Sequence, residues 1–470
     1  MMRSTSHIRR LACVALIAMV PACSEPTRPG VQAEHLVLIT VEGLRADHVS
    51  SLGYYRRTTD FDRADGAAAL DLDWIAESGV NFSQAMAASS DPRTSLGTIH
   101  TGAAPLTHGL LVDGRALPDD LPTLAEDFAA AGFRTAAFLC ASDALADTGL
   151  ARGFEVFVET TDDHRALQAF AKDLEESRGD ERPRFWWLHF SGPRQPWSPA
   201  PIATGPDFRA AFLGGRDMGR LDESAETFRA LRDGTFEPTP VERDALVALY
   251  DCELLRLDFL VRRGFESLAN TDEKVDLLAR SAVVVVGASG VELGERAGAW
   301  SDDSGSFEES LHVPLLLRHP GSITGRRILG GTVEHADVAP TLRELFGVGD
   351  LRDGERSLLA RTDSYVRREF PERPALTLVA TPDGGLSLSA RINDERLVLE
   401  YLGTPRLYDL ARDPSQRHDL AAEMPERARE LSRSVFDALL ATPAHLDWDG
   451  DGREFLLRTL HAAAGREARD

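Results

Sequence analysis

The chain has 470 residues, more than one core of roughly 250–300 residues usually supports, so a main domain with a smaller companion is expected. Apolar residues make up 43% and charged residues 27%, the ordinary make-up of a globular protein. The formal charge is −23, and without residues 1–22, which hold Arg3, Arg9 and Arg10 and no acids, 49 bases face 75 acids, or −26. A surface of that sign repels nucleic acid and anionic membrane, which excludes a phosphate-backbone partner.

In chain order, Arg9 and Arg10 precede LACVALIAMV, an apolar run too short to span a bilayer, and VPAC follows. A basic start, a short apolar stretch and small residues before Cys23 resemble a bacterial lipoprotein signal. Cleavage there leaves a lipidated Cys23 and a polar tether over 23–33; a plain secretory signal cut near the same place is the alternative. On either reading the chain is exported. On the first it is lipid-anchored to a bacterial membrane, facing the periplasm or the cell surface, and touches that membrane through the anchor only.

HLVLITV (35–41) is a near-continuous apolar run, as a parallel strand covered on both faces requires. LDLDWIAESGVNFSQA reads as helix, glycine stop and strand, and LPTLAEDFAAAGFRTAAFLC repeats that unit. RFWWLHF (184–190), SAVVVVGA and HVPLLLR add strands, 241–269 has the spacing of one long helix, and VAPTLRELFGV is another. The pattern predicts a doubly wound, mostly parallel α/β domain over 34–347 with helices on both faces. Over 348–445 the texture changes to LTLVAT, LSLSARI and ERLVLEYL, short alternating strands separated by DGG and ND, then a helix over 424–441. That is a small antiparallel sheet with one helix, followed by an acidic tail over 446–470. Cys140 and Cys252 either pair or serve as small buried hydrophobes.

The residues then resemble a known family. LITVEGLRADHVSSLGYYRRTTDFDRADG is similar to the opening of sulfatases in the alkaline-phosphatase superfamily, and TSLGTIHTGAAPLTHG to the turn and helix after their nucleophile. GFRTAAFL, GLARGFEVF, ALYDCELLRLD, ELGE, FEESLHVPLLLRHPG, HADVAPTL and LYDLARDPSQRHDL follow in family order, so the likeness covers about 35–440. The resemblance implies a divalent cation, usually calcium, held by carboxylate and amide oxygens. It also implies a nucleophile beside the metal, often a cysteine converted to formylglycine, with cationic side chains around the sulfate.

Position by position, this sequence departs from that pattern. The metal acid at the end of the first strand is Glu42, followed by Gly43, and Asp47 is read as a helix-start residue. The Asp-His or Asp-Asn pair before the family's GE falls on Ala288 and Ser289. The nucleophile motif has two registers. Anchored on Thr101–Gly102 it places Pro92 at the nucleophile, and this longer match is preferred; anchored on Arg93 it places Ser89 there. Ser90 and Thr94 are further candidate hydroxyls, each equally a turn hydroxyl bonding nearby backbone. Arg194, in FSGPRQPW, stands where the family has histidine and binds anions without donating a proton. His108 in PLTHG is a substrate-side candidate or a histidine that fixes the turn. The family's lysine or histidine before FEES falls in the acidic SDDSGS, and the chain's two lysines, Lys172 and Lys274, lie elsewhere. Asp302 and Asp303 either ligate a relocated cation or form an exposed acidic loop. Asp447, Asp449 and Asp451 before Gly452 mimic a calcium loop, but Arg458 stands at the twelfth position where glutamate is needed.

Two functions of different class follow. In the first, the chain is a lipid-anchored pseudoenzyme on a sulfatase scaffold that binds an unknown ligand or exported partner and uses no cofactor. In the second, it is a divergent hydrolase of sulfate or phosphate esters, acting with calcium through Glu42, a serine such as Ser89, Arg93 and Arg194.

Overall fold

The apolar runs become strands because they are buried on both faces. In the computed structural model nine strands form one sheet: β1 (His35–Val41), β2 (Val80–Met86), β3 (Arg134–Leu139), β4 (Val156–Glu159), β5 (Arg184–Phe190), β6 (Ser281–Gly287), β7 (His312–Arg318), β8 (Arg327–Leu329) and β9 (Val333–Glu334). Their order is β4-β3-β5-β1-β6-β7-β2-β8, with β9 paired to β2. Along β1, Leu36 and Leu38 join one hydrophobic cluster, while Val37, Ile39 and Val41 join another on the opposite face. The first cluster is closed by the helices Pro92–Thr101, Leu124–Ala130 and Val338–Phe346, the second by Asp163–Glu176 and Pro240–Ala269. This is the mostly parallel, doubly wound sheet expected from the sequence. β7 alone runs antiparallel, to β6 and β2. Its Pro314 has no N–H to give, and the β2–β7 pairing shifts register there, between Phe82 opposite Leu315 and Ala85 opposite Val313.

The structure describes residues 33–441 except 60–69, 112–114, 142, 203–204, 271–275, 297–299, 301–304, 322, 324–326, 363–369, 371–372, 381–385 and 401–403. The signal and tether with Cys23, the pair Asp302 and Asp303, and the tail with Asp447, Asp449 and Asp451 lie outside the described residues.

The C-terminal segment forms a separate antiparallel sheet of β10 (Ala375–Ala380), β11 (Leu386–Ile392), β12 (Glu395–Leu399) and β13 (Arg406–Asp409), one strand more than the sequence pattern suggested. Leu378, Leu388, Leu397 and Leu407 pack with Leu431, Val435 and Phe436 of the helix Pro425–Ala441. The two sheets are joined by hydrogen bonds: Leu378 N donates to Ala88 O at 2.9 Å, and the Thr377 hydroxyl to Ala87 O at 2.8 Å. A buried ionic knot adds to this, with Glu308 at 2.6 Å from both Arg391 and Arg396. Cys140 and Cys252 are buried free thiols and do not pair.

Candidate functional site

In a parallel sheet the strand ends that face one way collect side chains from distant parts of the chain. Here the ends of β1, β5 and β6 meet: Val41 pairs with Phe190 on one side and with Gly287 on the other. The next residue, Glu42, is only 1% exposed. Its Oε1 lies 3.1 Å from His189 Nε2, and its Oε2 lies 3.5 Å from Arg194 Nη1. His189 is itself held on the other side. Trp187 Nε1 donates to Thr40 Oγ1 at 2.8 Å, and Thr40 Oγ1 lies 2.7 Å from His189 Nδ1. Indole N–H only donates and an ionised carboxylate only accepts. The network is therefore satisfied with the Nε2 proton pointing at Glu42 and Nδ1 accepting the threonine hydroxyl.

Directly after Glu42 the chain turns at Gly43, whose φ is +67°. A Cβ there would sit 3.2 Å from Pro193 O, so the close approach of the 190s loop to the end of β1 requires glycine. Gly43 N donates to Ser289 Oγ at 3.2 Å, and Tyr250 donates its hydroxyl to Gly43 O at 2.8 Å. Ala288 and Ser289, at the end of β6, are both buried; Ala288 N donates to Val41 O at 2.6 Å, and its methyl belongs to the apolar core. These are the two positions on which the sequence resemblance places the metal-ligating pair. Asp47 is held by Arg45, at 2.9 and 2.7 Å, and Arg45 also reaches Glu295 at 2.5 Å. Burial works to raise the Asp47 carboxyl, but Arg45 holds it below the ordinary range. The ELGE segment thus anchors the LRAD segment through Arg45. Glu292 in the same segment is buried, and that burial, with Glu309 and Glu295 nearby, pushes its carboxyl up to about 7.

The candidate nucleophile segment is tied to its own helix. Asp91 caps the helix Pro92–Thr101, accepting from Arg93 N at 3.0 Å, and Pro92 occupies its first turn. The Ser89 hydroxyl accepts from Asp91 N at 3.2 Å, and Thr94 Oγ1 lies 2.6 Å from Asp91 Oδ2 and 2.7 Å from Leu110 O. Ser89, Ser90 and Thr94 are fully buried, and the Ser90 hydroxyl has no hydrogen-bond partner. Arg93 lies 3.8 Å from Asp91. One histidine brings this segment to the strand ends. Ala88 N donates to His335 Nδ1 at 3.2 Å, so the proton is on Nε2, which donates to Gly287 O at 2.9 Å. Burial pushes this imidazole down to about 4 and keeps it neutral. His108 stands apart from the cluster: its Nδ1 accepts from Leu110 N at 3.1 Å and its Nε2 meets Thr98 Oγ1 at 2.9 Å. That is the geometry of a turn-fixing histidine.

The structure therefore brings together Glu42, Ser289 and Arg194 from the sequence reading, and adds His189, Thr40 and His335, which that reading missed. A histidine closing an otherwise apolar strand, as in RFWWLHF, was the available signal for His189.

A family model for sulfatases matches residues 34–348, two thirds of the chain. The chain belongs to the sulfatase family. No curated protein matches its sequence. Among solved structures it resembles BT4656, solved with its substrate D-glucosamine-2-N,6-O-disulfate, at 18% identity and TM-score 0.66, covering 90% of this chain and 99% of that one. It also resembles the phosphonate monoester hydrolases of Silicibacter pomeroyi (19% identity, TM-score 0.68, 87% and 96% covered) and Agrobacterium radiobacter (17%, 0.68, 88% and 96%). At these identities the likeness is one of fold.

Sulfatases usually depend on calcium, and the donor set here can be tested against that ion. Calcium takes six to eight oxygens, mostly carboxylate and carbonyl. In this sulfatase-family chain the strand ends meet at the carboxylate of Glu42, and a ring N–H and a guanidinium already face it. Among the described residues no three His, Cys, Asp or Glu side chains are grouped to hold a metal ion. The residues that are described do not fit calcium, and no chemical step is derived through it. What remains is a buried carboxylate neutralised by the protein's own cationic and N–H groups.

Proposed function

We propose that this chain is an exported, lipid-anchored member of the sulfatase family that has lost metal-dependent ester hydrolysis and retains the scaffold as a binding protein. The observation that carries this reading is the environment of Glu42. His189 Nε2 faces one oxygen of the carboxylate and Arg194 the other. Ala288 and Ser289 bring no second carboxylate. The buried, locally bonded Ser89 and Thr94 hydroxyls and the placement of Pro92 in the helix's first turn point the same way. The Ser89 hydroxyl is taken up by Asp91 N, and the Thr94 hydroxyl lies between the helix-capping Asp91 carboxylate and Leu110 O, so both are engaged in holding the turn rather than offered as nucleophiles.

The test is metal content of the purified protein together with turnover of a panel of aryl sulfate, phosphate and phosphonate esters. Neither stoichiometric metal nor turnover is expected. Calcium-dependent turnover abolished by Glu42→Ala would establish the hydrolase instead. For the anchor, Cys23→Ser is expected to release the protein from the membrane fraction, and unchanged partitioning would rule out lipidation as the means of attachment. Among the described residues no helix is long and apolar enough to cross a membrane.

A further inference from the structure

We propose that residues 291–296, the segment that follows β6, form a proton-controlled latch between the strand ends and the C-terminal sheet, closed while Glu292 carries a proton and released when it ionises. The inference goes beyond the binding-protein reading and does not depend on what the Glu42 cluster binds. The segment is tied on two sides. Toward β1, Arg45 donates to Val291 O at 3.0 Å and reaches Glu295 at 2.5 Å. Toward the second sheet, Arg296 donates to Ser415 O at 2.9 Å and to Gln416 O at 3.0 Å, in the stretch that follows β13. The Gln416 carboxamide oxygen in turn accepts from Glu308 N at 2.9 Å. Gly290 N donates to Ser310 O at 2.8 Å and Val291 N to Glu309 O at 3.1 Å, which pins the segment to the short helix Glu308–Leu311.

The charges of this junction pair so as to leave one acid over. Glu295 and Asp47 share Arg45, and Glu309 takes Arg296 at 2.8 Å. Glu308, the other acid of the short helix, is turned to Arg391 and Arg396, each at 2.6 Å, so those two arginines are engaged there. Among the described residues Glu292 forms no ion pair, yet it is only 6% exposed. Its carboxyl closes on Gly305. A Cβ built on that glycine would stand 3.0 Å from Glu292 Oε1 and closer still to Ser310 Oγ, a buried hydroxyl without a hydrogen-bond partner. A protonated carboxyl is tolerated in such a place far better than an ionised one.

Four charged groups act on Glu292 from the elements around it. Glu309 of the short helix and Glu295 of its own segment add to the effect of burial, while Arg296 of that segment and Arg45 beyond β1 oppose it, and the carboxyl rises to about 7. Ionisation sets a further negative charge beside the two acids that hold the arginines. Moving 291–296 out to water relieves that repulsion, at the expense of the ties to Arg45 and to residues 415–416. In the open segment Glu292 titrates at its ordinary 4.5, so opening releases a proton that the closed segment keeps up to about 7. Opening is therefore favoured progressively from about pH 4.5 and levels off above 7.

The experiment is amide hydrogen exchange of the mature protein from pH 5 to 8, read by mass spectrometry and corrected for the intrinsic pH dependence of exchange. Peptides covering 288–296 are compared with peptides from the helix Pro240–Ala269. In wild type the opening constant of 288–296 is expected to rise by about fiftyfold between pH 5 and 8, with most of the rise complete by pH 7. Glu292→Gln, which keeps the shape of the protonated side chain, should hold that constant level across the range. The helix peptides should behave alike in both proteins. Should Glu292→Gln fail to fold, Glu292→Met, which also removes the titration, takes its place. The proposal is overturned if 288–296 is equally protected at pH 5 and 8 in wild type, if the substituted protein follows the wild-type rise, or if the helix peptides lose protection together with the segment.

Discussion

A carboxylate buried as deeply as Glu42 survives only if its charge is answered, because an ionised group without partners in a low-dielectric interior is strongly disfavoured. At 3.5 Å from Arg194 the Coulomb attraction is about 5 kcal/mol for an effective dielectric near 20, before desolvation offsets most of it. Removing the carboxylate strands the His189 N–H and loosens Arg194, so Glu42→Ala is expected to cost about 2–3 kcal/mol in urea unfolding. Glu42→Gln, which keeps an acceptor, should cost less than half as much. Neither value should change with calcium or with chelator, and a calcium-dependent stability in the wild type would mean that a metal, not the side chains, answers the charge. Gly43 gives an independent check on how tightly the strand end is closed. Gly43→Ala must place a Cβ 3.2 Å from Pro193 O at φ +67°, whereas Gly132→Ala, at φ +86°, meets nothing within 4 Å. Both pay the strain of a left-handed alanine, about 1 kcal/mol. Gly43→Ala should exceed Gly132→Ala by a further increment of about 1 kcal/mol, read as a lower urea midpoint.

At the scale of elements, the helix Pro240–Ala269 positions much of what has been described. It starts with a full capping box, Thr239 accepting from Glu242 N at 3.3 Å and Glu242 accepting from Thr239 N at 2.8 Å. Two turns and more along, Tyr250 fixes Gly43 and Arg45. Thr239→Ala should therefore destabilise by about 1 kcal/mol, visible as a lower melting temperature. This helix was legible because residues 241–269 carry apolar side chains at helical spacing, and β1, β5 and β6 were legible as largely apolar runs. β13 was not, because four residues, RLYD, are too few to establish an alternation. The site divides in the same way. Glu42, Ala288 and Ser289 could be placed because each sits within a few residues of a motif. His189 could not, since its link to Glu42 spans 147 positions, and His335 reaches Ala88 across 247. Only the register of the sheet makes such neighbours.

Across the whole molecule, buried titratable groups of both kinds set how stability follows pH, and their signs are opposite. Glu253 and Glu292 have carboxyls raised by burial to about 7 from an ordinary 4.5. The folded state keeps those protons where the unfolded chain has released them. Their stabilising contribution is thus complete below about pH 4.5 and lost as pH rises through 7. For Glu253 alone the shift corresponds to about 3 kcal/mol. Glu253→Gln should then be more stable than wild type at pH 8, with the advantage fading as pH falls to 5. Burial pushes His100 the other way, to about 3, with the nearby His189 adding to the fall, and neither ring nitrogen of His100 has a partner. Its contribution is complete above the ordinary histidine value of 6.5 and is lost as pH falls toward 3, because the unfolded chain takes up a proton the folded one refuses. The ring lies 4.0 Å from that of Trp187, so His100→Leu keeps an apolar contact there and removes the titration. Urea midpoints measured from pH 8 to 4 should show wild type losing ground to His100→Leu below about pH 6.5, and parallel curves would show that the imidazole is protonated in place.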